Sequence, residues 1–370
     1  MNLFQSSQKM LRFAAKPHIL FYALPWLMVL LFLGTIAQKN MGIYEVTQIY
    51  FNSWFLWVGP IPLPGGLMTL GAIFLTLTVK FIFFSQWSLN HAGIILTHFG
   101  VLLLLLGGLV TARFAHEGFM VIPEGETVAN VSEYRERIFT LSRENEVIIV
   151  APFSMSKGDY GLQEAPLPFE LSIDYICDNC SMTFQEEELA ERAHGLAQKV
   201  NLIKIPLEKE AETNLAGLGF SLKNVSQEAD GYYILMESVS NTMTFEHDGE
   251  SYTLTLGRAQ NPLPFSIALQ DFRKITYPGT AKAQGFESDI VINDNGVEWP
   301  VTIRMNEPAR YKGYTFYQSS FVQHPNKEVT VLSVVQNIGH AFPYISCLII
   351  FLGMALHTAL KLKQPKRREA

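Results

Sequence analysis

The chain has 370 residues, a formal net charge of −6 and a mean hydropathy of +0.15, which is too apolar for an ordinary soluble domain and too polar for a protein buried wholly in lipid. Residues 113–337 carry 32 of the 34 acidic and 18 of the 28 basic residues, a net charge of −14, whereas the rest of the chain has a net charge of +8. This division excludes a plain cytoplasmic enzyme, a carrier with only short loops and a disordered chain, and it argues against nucleic-acid binding because acidic residues outnumber basic ones outside the membrane.

Four apolar stretches are long enough to cross a bilayer as helices, which takes about 20 residues for ~30 Å of hydrocarbon. The second stretch contains Lys80, which lies four residues from its end and can extend to the interface. A cleaved signal peptide is the alternative for the first stretch, although its 19 uncharged residues exceed the usual hydrophobic region of roughly 7–15. The predicted spans are Ile19–Ala37, Leu67–Phe84, His91–Ala112 and Ile338–Leu360.

The distribution of lysine and arginine predicts the orientation. Basic residues precede the first span and follow the fourth, which places residues 1–18 and the basic tail 361–370 in the cytoplasm. The loop 38–66, rich in aromatic residues and proline, and the acidic residues 113–337 then lie outside. In a bacterium this arrangement corresponds to the cytoplasmic (inner) membrane with the large domain in the periplasm.

Residues 113–337 are predicted to form a mainly-β domain. Short β-branched or aromatic runs recur, and Asp248-Gly249 and Asn295-Gly296 supply the residues typical of hairpin turns. One amphipathic helix is predicted at Gln185–Val200. The predicted fold class is an integral membrane protein with four α-helical spans and a large, mainly-β extracytoplasmic domain, an antiparallel sandwich or barrel, between spans three and four.

Two cysteines, Cys177 and Cys180, form a CxxC pair in this domain. Such a pair is compatible with a redox site, half of a zinc site or a structural disulfide, and no second cysteine pair accompanies it. Ser181 follows where a covalent haem-attachment motif has histidine. A structural disulfide or a pair of inert thiols is the favoured interpretation.

Histidines within the spans are the strongest candidates for a site, because an ionisable side chain inside a membrane is costly to retain. His91 and His98 are seven residues apart and are predicted to share one face of span three. His98 is therefore a candidate ligand of haem iron, with His91 or His357 as second choices. The alternative is that His91 and His357 are interfacial and that His98 only donates to a backbone carbonyl. A second seven-residue series on roughly the opposite face predicts close packing against another helix; it consists of Gly93, Gly100 and Gly107.

The run 306–321 combines aromatic side chains with Arg310 and Lys312. Such a combination is compatible with a flat anionic ligand or an extended peptide, but an aromatic-rich strand beside the membrane is the favoured interpretation.

Several of these segments together resemble the ResB/CcsB family of cytochrome c biogenesis proteins, the System II pathway. The resemblance rests on Gly34–Gln38, on His98-Phe99-Gly100 with the leucine run after it, and on the run 306–321. The stretches 53–66 and 334–346 also look like the bacterial branch of the family, so the resemblance covers nearly the whole chain.

This resemblance implies a subunit of a cytochrome c synthase. With a CcsA/ResC-like membrane protein, such a subunit carries haem b, bound transiently and non-covalently, to the periplasm and presents it to apocytochrome c. By motif, His98 corresponds to the proposed transmembrane haem ligand of the family, with His91 as second choice. The chain has no tryptophan-rich loop, so the partner is expected to be a separate polypeptide, and catalysis resides in either one. The alternative function is a membrane b-type electron-transfer protein in which His98 or His91 pairs with His357.

Overall fold

The structure is a computed structural model of the chain. It describes residues 9, 11–144, 146–153, 167–184, 193–210, 213–237, 239–280, 282–324 and 327–363. The chain divides into two compact units, one formed by Met1–His116 with Gln336–Ala370 and the other by Glu117–Val335. The first is built mainly from helices and the second mainly from strands, and they are called the helical unit and the β unit below.

The helical unit contains four helices that are long and apolar enough to cross a membrane, as the sequence predicts. These are α1 (His18–Ala37), α3 (Gly66–Phe84), α4 (Ala92–Phe114) and α5 (Phe342–Lys363), with a short α2 (Ile43–Val46) after the first. The last helix begins four residues later than the predicted span. The Asn337 side chain accepts a hydrogen bond from the Gly339 backbone N–H (2.7 Å) and from the Thr111 hydroxyl (3.2 Å), and this holds the preceding residues, His340 included, in a turn.

The loop between α1 and α3 is a folded segment. After α2 come a π-helical turn at Thr47–Phe51 and a hairpin of β1 (Phe55–Val58) with β2 (Ile61–Pro64). A Cβ added to Gly66 would lie 2.6 Å from the Phe51 backbone, so the chain can pass this closely only because residue 66 has no side chain. The Trp26 indole N–H also donates to the Pro64 carbonyl at 2.8 Å and links α1 to the hairpin. The proline-rich stretch is therefore a strand pair.

The β unit contains one large sheet and two smaller ones. The strands are β3 (His116–Pro123), β4 (Thr127–Arg143), β5 (Glu146–Pro152), β6 (Glu170–Cys177), β7 (Cys180–Phe184), β8 (Val200–Lys204), β9 (Gly217–Lys223), β10 (Gly231–Met236), β11 (Thr242–His247), β12 (Glu250–Thr276), β13 (Ala283–Asp294), β14 (Val297–Arg304), β15 (Ala309–Tyr311), β16 (Tyr314–His324) and β17 (Lys327–Gln336). In the large sheet the strand order is β14-β13-β12-β4-β3-β17-β16-β15, with β11 paired to β12 and β5 paired to β4. The ladders that β12 forms with β4, β11 and β13 are antiparallel. The smaller sheets have the orders β10-β9-β6 and β7-β8.

Two hydrophobic cores share the long strand β12. Its first part buries Leu254 and Leu256 in one core, which the small sheet β10-β9-β6 covers. Its second part buries Ile267 and Leu269 in the other core, beside β13, β16 and β17. Between them the ladder with β4 shifts register after Arg258, which is how one strand can contribute alternate side chains to two separate cores.

Type I′ hairpin turns form at both predicted positions. Asp248 and Gly249 have φ of 51° and 82° and join β11 to β12, and Asn295 and Gly296 have φ of 53° and 84° and join β13 to β14. The turn between β15 and β16 has the same geometry at Lys312 and Gly313, where lysine gave no signal in the sequence.

Cys177 and Cys180 are joined by a disulfide and are almost fully buried. They lie between β6 and β7 in a small third core. Burial favours the structural role over a redox role, since an exchanging disulfide has to be reached by a partner thiolate. Of the helix predicted at Gln185–Val200, residues 185–192 lie outside the described residues, and the remainder contains a 3-10 helix at Gly195–Gln198 and the first residue of β8.

Candidate functional site

Helices α4 and α5 pack together along the predicted glycine series. A Cβ added to Gly93 would lie 2.4 Å from the His357 backbone nitrogen, and one added to Gly107 would lie 2.3 Å from Cβ of Phe342. The contact is reciprocal, because a Cβ on Gly353 of α5 would lie 2.6 Å from the Thr97 backbone nitrogen. The lack of side chains lets the two backbones approach closely. The neighbour expected for the glycine face is therefore α5.

His98 lies on a different face of α4 from this seam. It is five residues from Gly93, which corresponds to about 140° around a helix, and about 9 Å from the first residue of α4 along the axis. His98 is partly exposed. The side chain is therefore directed away from α5 and is open to a ligand or to another protein.

One nitrogen of the His98 ring is occupied by the helix itself. The Nδ1–H group donates to the Ile94 carbonyl one turn earlier, at 2.8 Å. Since a carbonyl can only accept, this bond places the proton on Nδ1 and leaves a lone pair on Nε2. The same arrangement, one ring nitrogen bonded to a backbone carbonyl and the other directed at a metal, fixes the ring in many metal-ligating histidines. Donation from His98 to a backbone carbonyl, the alternative to haem ligation in the sequence analysis, is thus compatible with ligation through Nε2.

His91 is not part of the regular helix. It ends a 3-10 turn (Leu89–His91) and is the N-cap residue of α4, with φ −106° and ψ 3°. Its Nδ1 lies 2.8 Å from the Ser88 hydroxyl. The structure therefore places His91 outside the regular α-helix, so its seven-residue spacing from His98 does not by itself put the two side chains on one face.

His357 is on α5, and its backbone packs against Gly93. His98 faces away from that helix, so the structure does not bring these two histidines to one iron. Within the described residues, no group of three or more His, Cys, Asp or Glu side chains is arranged to hold a metal ion.

The aromatic run 306–321 is largely part of the core of the β unit. Phe316 is fully buried, and Tyr311 and Tyr314 contact the Phe265 ring edge-on at 5.0 and 5.7 Å between centroids. The Lys312 ammonium and the Tyr311 hydroxyl both bond to the Asp294 carboxylate, at 2.5 and 2.7 Å, and these bonds lower the pKa of Asp294. An aromatic-rich strand, the favoured interpretation, is therefore what forms.

A buried charged cluster joins the middle of the β unit, and no sequence pattern indicates it. Glu237 follows β10 and accepts from Arg137 Nε of β4 at 2.8 Å, and Arg258 Nε of β12 lies 3.4 Å from its other oxygen. All three side chains are at most 15% exposed. The Ala216 backbone N–H also donates to Glu237 (3.0 Å). Because the residues are distant in sequence and each is common on surfaces, only the fold reveals the group.

Comparison with known proteins identifies the family. A sequence model of the ResB-like family matches residues 85–166 and 227–340, which together make up more than half of the chain. The first block includes α4 with His98, and the second includes the run 306–321. The small sheet strands β6 to β9 and the disulfide fall between the two blocks.

A curated relative gives a second, local match. Protein NrfI of Wolinella succinogenes is 32% identical over 103 residues, which is 27% of this chain and 11% of that protein. The chain therefore spans about a tenth of the length of this relative. The match supports a relationship between the two proteins over the matched region. Together with the family match, it confirms the resemblance read from the sequence. The chain belongs to the ResB-like family of cytochrome c biogenesis proteins.

Proposed function

We propose that this chain is the haem-handling subunit of a System II cytochrome c synthase in the bacterial inner membrane. With a CcsA/ResC-like protein it carries haem from the cytoplasm to the periplasm and presents it for attachment to apocytochrome c. Family membership supports the pathway, and the four apolar helices support placement in a membrane. The basic residues at both ends of the chain support cytoplasmic termini and a periplasmic β unit.

His98 is the proposed ligand of haem iron, through Nε2. The observation that carries this assignment is the Nδ1–H bond to the Ile94 carbonyl, which leaves Nε2 unprotonated on a face that α5 does not cover. Axial imidazole ligation would hold the iron and tune its potential. The second axial histidine is assigned to the partner, because His357 lies on the other side of α4.

Replacement of His98 tests this assignment. The chain is co-purified with a CcsA-like partner, and haem content is read from the absorption spectrum while cytochrome c maturation is measured in the same cells. We expect His98→Ala to lower haem content by about tenfold or more, as loss of a metal-orienting group commonly does. Added imidazole is expected to restore part of the haem absorption, which a merely structural defect would not allow.

The control is His340→Ala, which removes an exposed histidine in the turn before α5, where Nδ1 donates to the Asn337 carbonyl at 3.0 Å. Unchanged haem content and unchanged maturation in His98→Ala would contradict the assignment. The alternative function, a membrane b-type electron carrier, predicts a different result. The chain expressed alone would then retain one haem, and His357→Ala would lose it.

A further inference from the structure

An apolar cleft opens at the end of the helical unit where α4 begins. Its volume is about 880 Å³, which is within the usual range for ligand sites of roughly 300–1,000 Å³. The α4 residues in its wall follow helical spacing and therefore form one face. The cleft is lined by Phe81 of α3, by Trp87, Ser88 and Leu89 of the connecting turn, by Ala92, Ile95, Leu96 and Phe99 of α4 and by Leu356 of α5.

Aromatic rings hold the cleft open. Phe81 stacks on Phe99 with centroids 6.3 Å apart, and Trp87 meets Phe81 edge-on at 5.3 Å. These bulky contacts join α3 to α4, while the small side chain of Ala92 leaves space beside them. Trp87 is 64% exposed and Leu89 is 87% exposed. A wall of this kind would be unfavourable in water and is suited to hydrocarbon.

Two of the helices that line the cleft carry a lysine near the lining residues in sequence. Lys80 immediately precedes the lining residue Phe81, and Lys361 follows Leu356 by five residues, about 7.5 Å along α5. Within the described part of the chain, neither lysine forms a salt bridge. In the sequence, residues 1–18 and 361–370, which flank the first and last predicted spans, contain eight basic residues and one acidic residue. An apolar cleft between helices with bases at its rim matches a lipid that has an anionic headgroup.

We propose that this cleft binds one acyl chain of an anionic phospholipid, with the lipid phosphate held by the ammonium groups of Lys80 and Lys361. Ser88 is the hydroxyl-bearing residue of the lining, and its hydroxyl already contacts His91. The cleft therefore selects for hydrocarbon rather than for a polar ligand. The lipid would occupy the space between α3 and α4 and so set how these helices are spaced. The proposal rests on the membrane placement above and is independent of haem ligation by His98.

Quenching of Trp87 fluorescence by brominated lipids tests the proposal. In the full chain, the four other tryptophans are changed to phenylalanine, and the protein is placed in phosphatidylcholine vesicles. These contain the same mole fraction of dibrominated phosphatidylglycerol or of dibrominated phosphatidylcholine. We expect the anionic lipid to quench Trp87 about threefold more strongly, because it is enriched at the basic rim. The residues changed are Trp26, Trp54, Trp57 and Trp299.

Two variants assign the effect to the cleft. Ala92→Leu fills the space and is expected to abolish the preference, whereas Ala355→Leu makes the same change at an exposed position of α5 that does not line the cleft and is expected to retain it. The double variant Lys80→Gln, Lys361→Gln leaves the cleft unfilled and is expected to lose the preference as well.

Equal quenching of Trp87 by the two brominated lipids in the chain with an unaltered cleft would overturn the proposal. Lipid that only surrounds the protein, without a specific site, gives that result. Loss of the preference in Ala355→Leu would overturn it as well. A third result would assign the cleft to a flat ring ligand instead of a lipid. In that case added haemin quenches Trp87, Ala92→Leu prevents this quenching, and the two lipids quench Trp87 equally. Unaltered lipid preference in a His98→Ala background would show that the lipid site stands whatever becomes of the haem assignment.

Discussion

Asp271 and Asp289 lie directly opposite one another on β12 and β13, an arrangement that like charges make unfavourable. Arg273 resolves the conflict. Its guanidinium bonds to Asp271 and to Asp289, the latter at 2.5 Å, and it also reaches Glu287 at 3.2 Å. The Thr302 hydroxyl of β14 donates to Asp289 at 2.6 Å. One arginine thus permits two carboxylates to face each other across the adjacent strands β12 and β13, and the Thr302 hydroxyl extends the network to β14.

The bond from Arg273, more than any other interaction, lowers the pKa of Asp289 below its ordinary value of 3.8. A carboxyl with a depressed pKa stabilises the folded state above the pKa of the unfolded chain, and this contribution is lost as the pH falls through the folded value. We therefore expect the β unit to lose stability on acidification below about pH 4, and Asp289→Asn to show a smaller loss over the same interval.

The measurement is the urea midpoint of the full chain in detergent, followed by the fluorescence of Trp299 in a background in which the four tryptophans of the helical unit are changed to phenylalanine. Asp248→Asn, at an exposed hairpin turn, serves as the control and is expected to keep the normal acid dependence. An acid dependence that is identical in Asp289→Asn and the parent chain would show that this carboxyl is not linked to folding.

At the scale of elements, the glycines of α4 are not equivalent. Gly93 and Gly107 contact α5, whereas a Cβ on Gly108 would meet no atom within 4 Å. The contacting series is recognisable from its spacing alone, because close helix packing leaves a periodic pattern of small residues in the sequence.

We expect Gly93→Ala to weaken the pairing of α4 with α5, because the added methyl group meets the His357 backbone, which cannot rotate away. Gly108→Ala is expected to leave it intact. The pairing is measured by disulfide formation between cysteines placed at Thr111 of α4 and Asn337 before α5, whose side chains lie within hydrogen-bond distance of each other (3.2 Å) and involve no glycine of the seam. Equal cross-linking in Gly93→Ala and Gly108→Ala would refute the assigned contact.

The features that were predictable from the sequence share one physical property, which is that each is determined by residues near one another in the chain. Helix length, the seven-residue glycine series and the two Asx-Gly turns are readable because each depends on residues close together in the chain. The Glu237 cluster depends on residues about 20 and 100 positions away, and no periodic pattern records it. His91 was assigned to a helix face because a 3-10 start is indistinguishable from an α-helical one by spacing.

At the scale of the whole molecule, charge and secondary structure divide at the same places. The acidic residues 113–337 coincide closely with the β unit, and the basic remainder coincides with the helical unit. Lysines and arginines near the ends of membrane spans favour the cytoplasmic side, whereas a long domain crosses largely regardless of its charge. The formal charge of −6 is the sum of a net −14 in residues 113–337 and a net +8 in the rest of the chain.

This division leads to a prediction for topology. Green fluorescent protein fused after Lys363 is expected to fluoresce, since it folds in the cytoplasm, and alkaline phosphatase fused at that point is expected to be inactive. Phosphatase inserted at the exposed Asp248-Gly249 turn of the β unit is expected to be active, because its disulfides form only outside. Activity in the reverse pattern would invert the proposed orientation.

The seam between α4 and α5 also has a consequence in time. Residues 115–341 are synthesised between these helices, and at about 5–20 residues per second this takes roughly 10–50 s. Throughout that interval the glycine face of α4 has no partner from its own chain. Pairing of the two helices is therefore the last step in assembling the helical unit, and it cannot occur before the whole β unit has left the ribosome. A chain stalled within the β unit would instead expose that face to helices of other proteins.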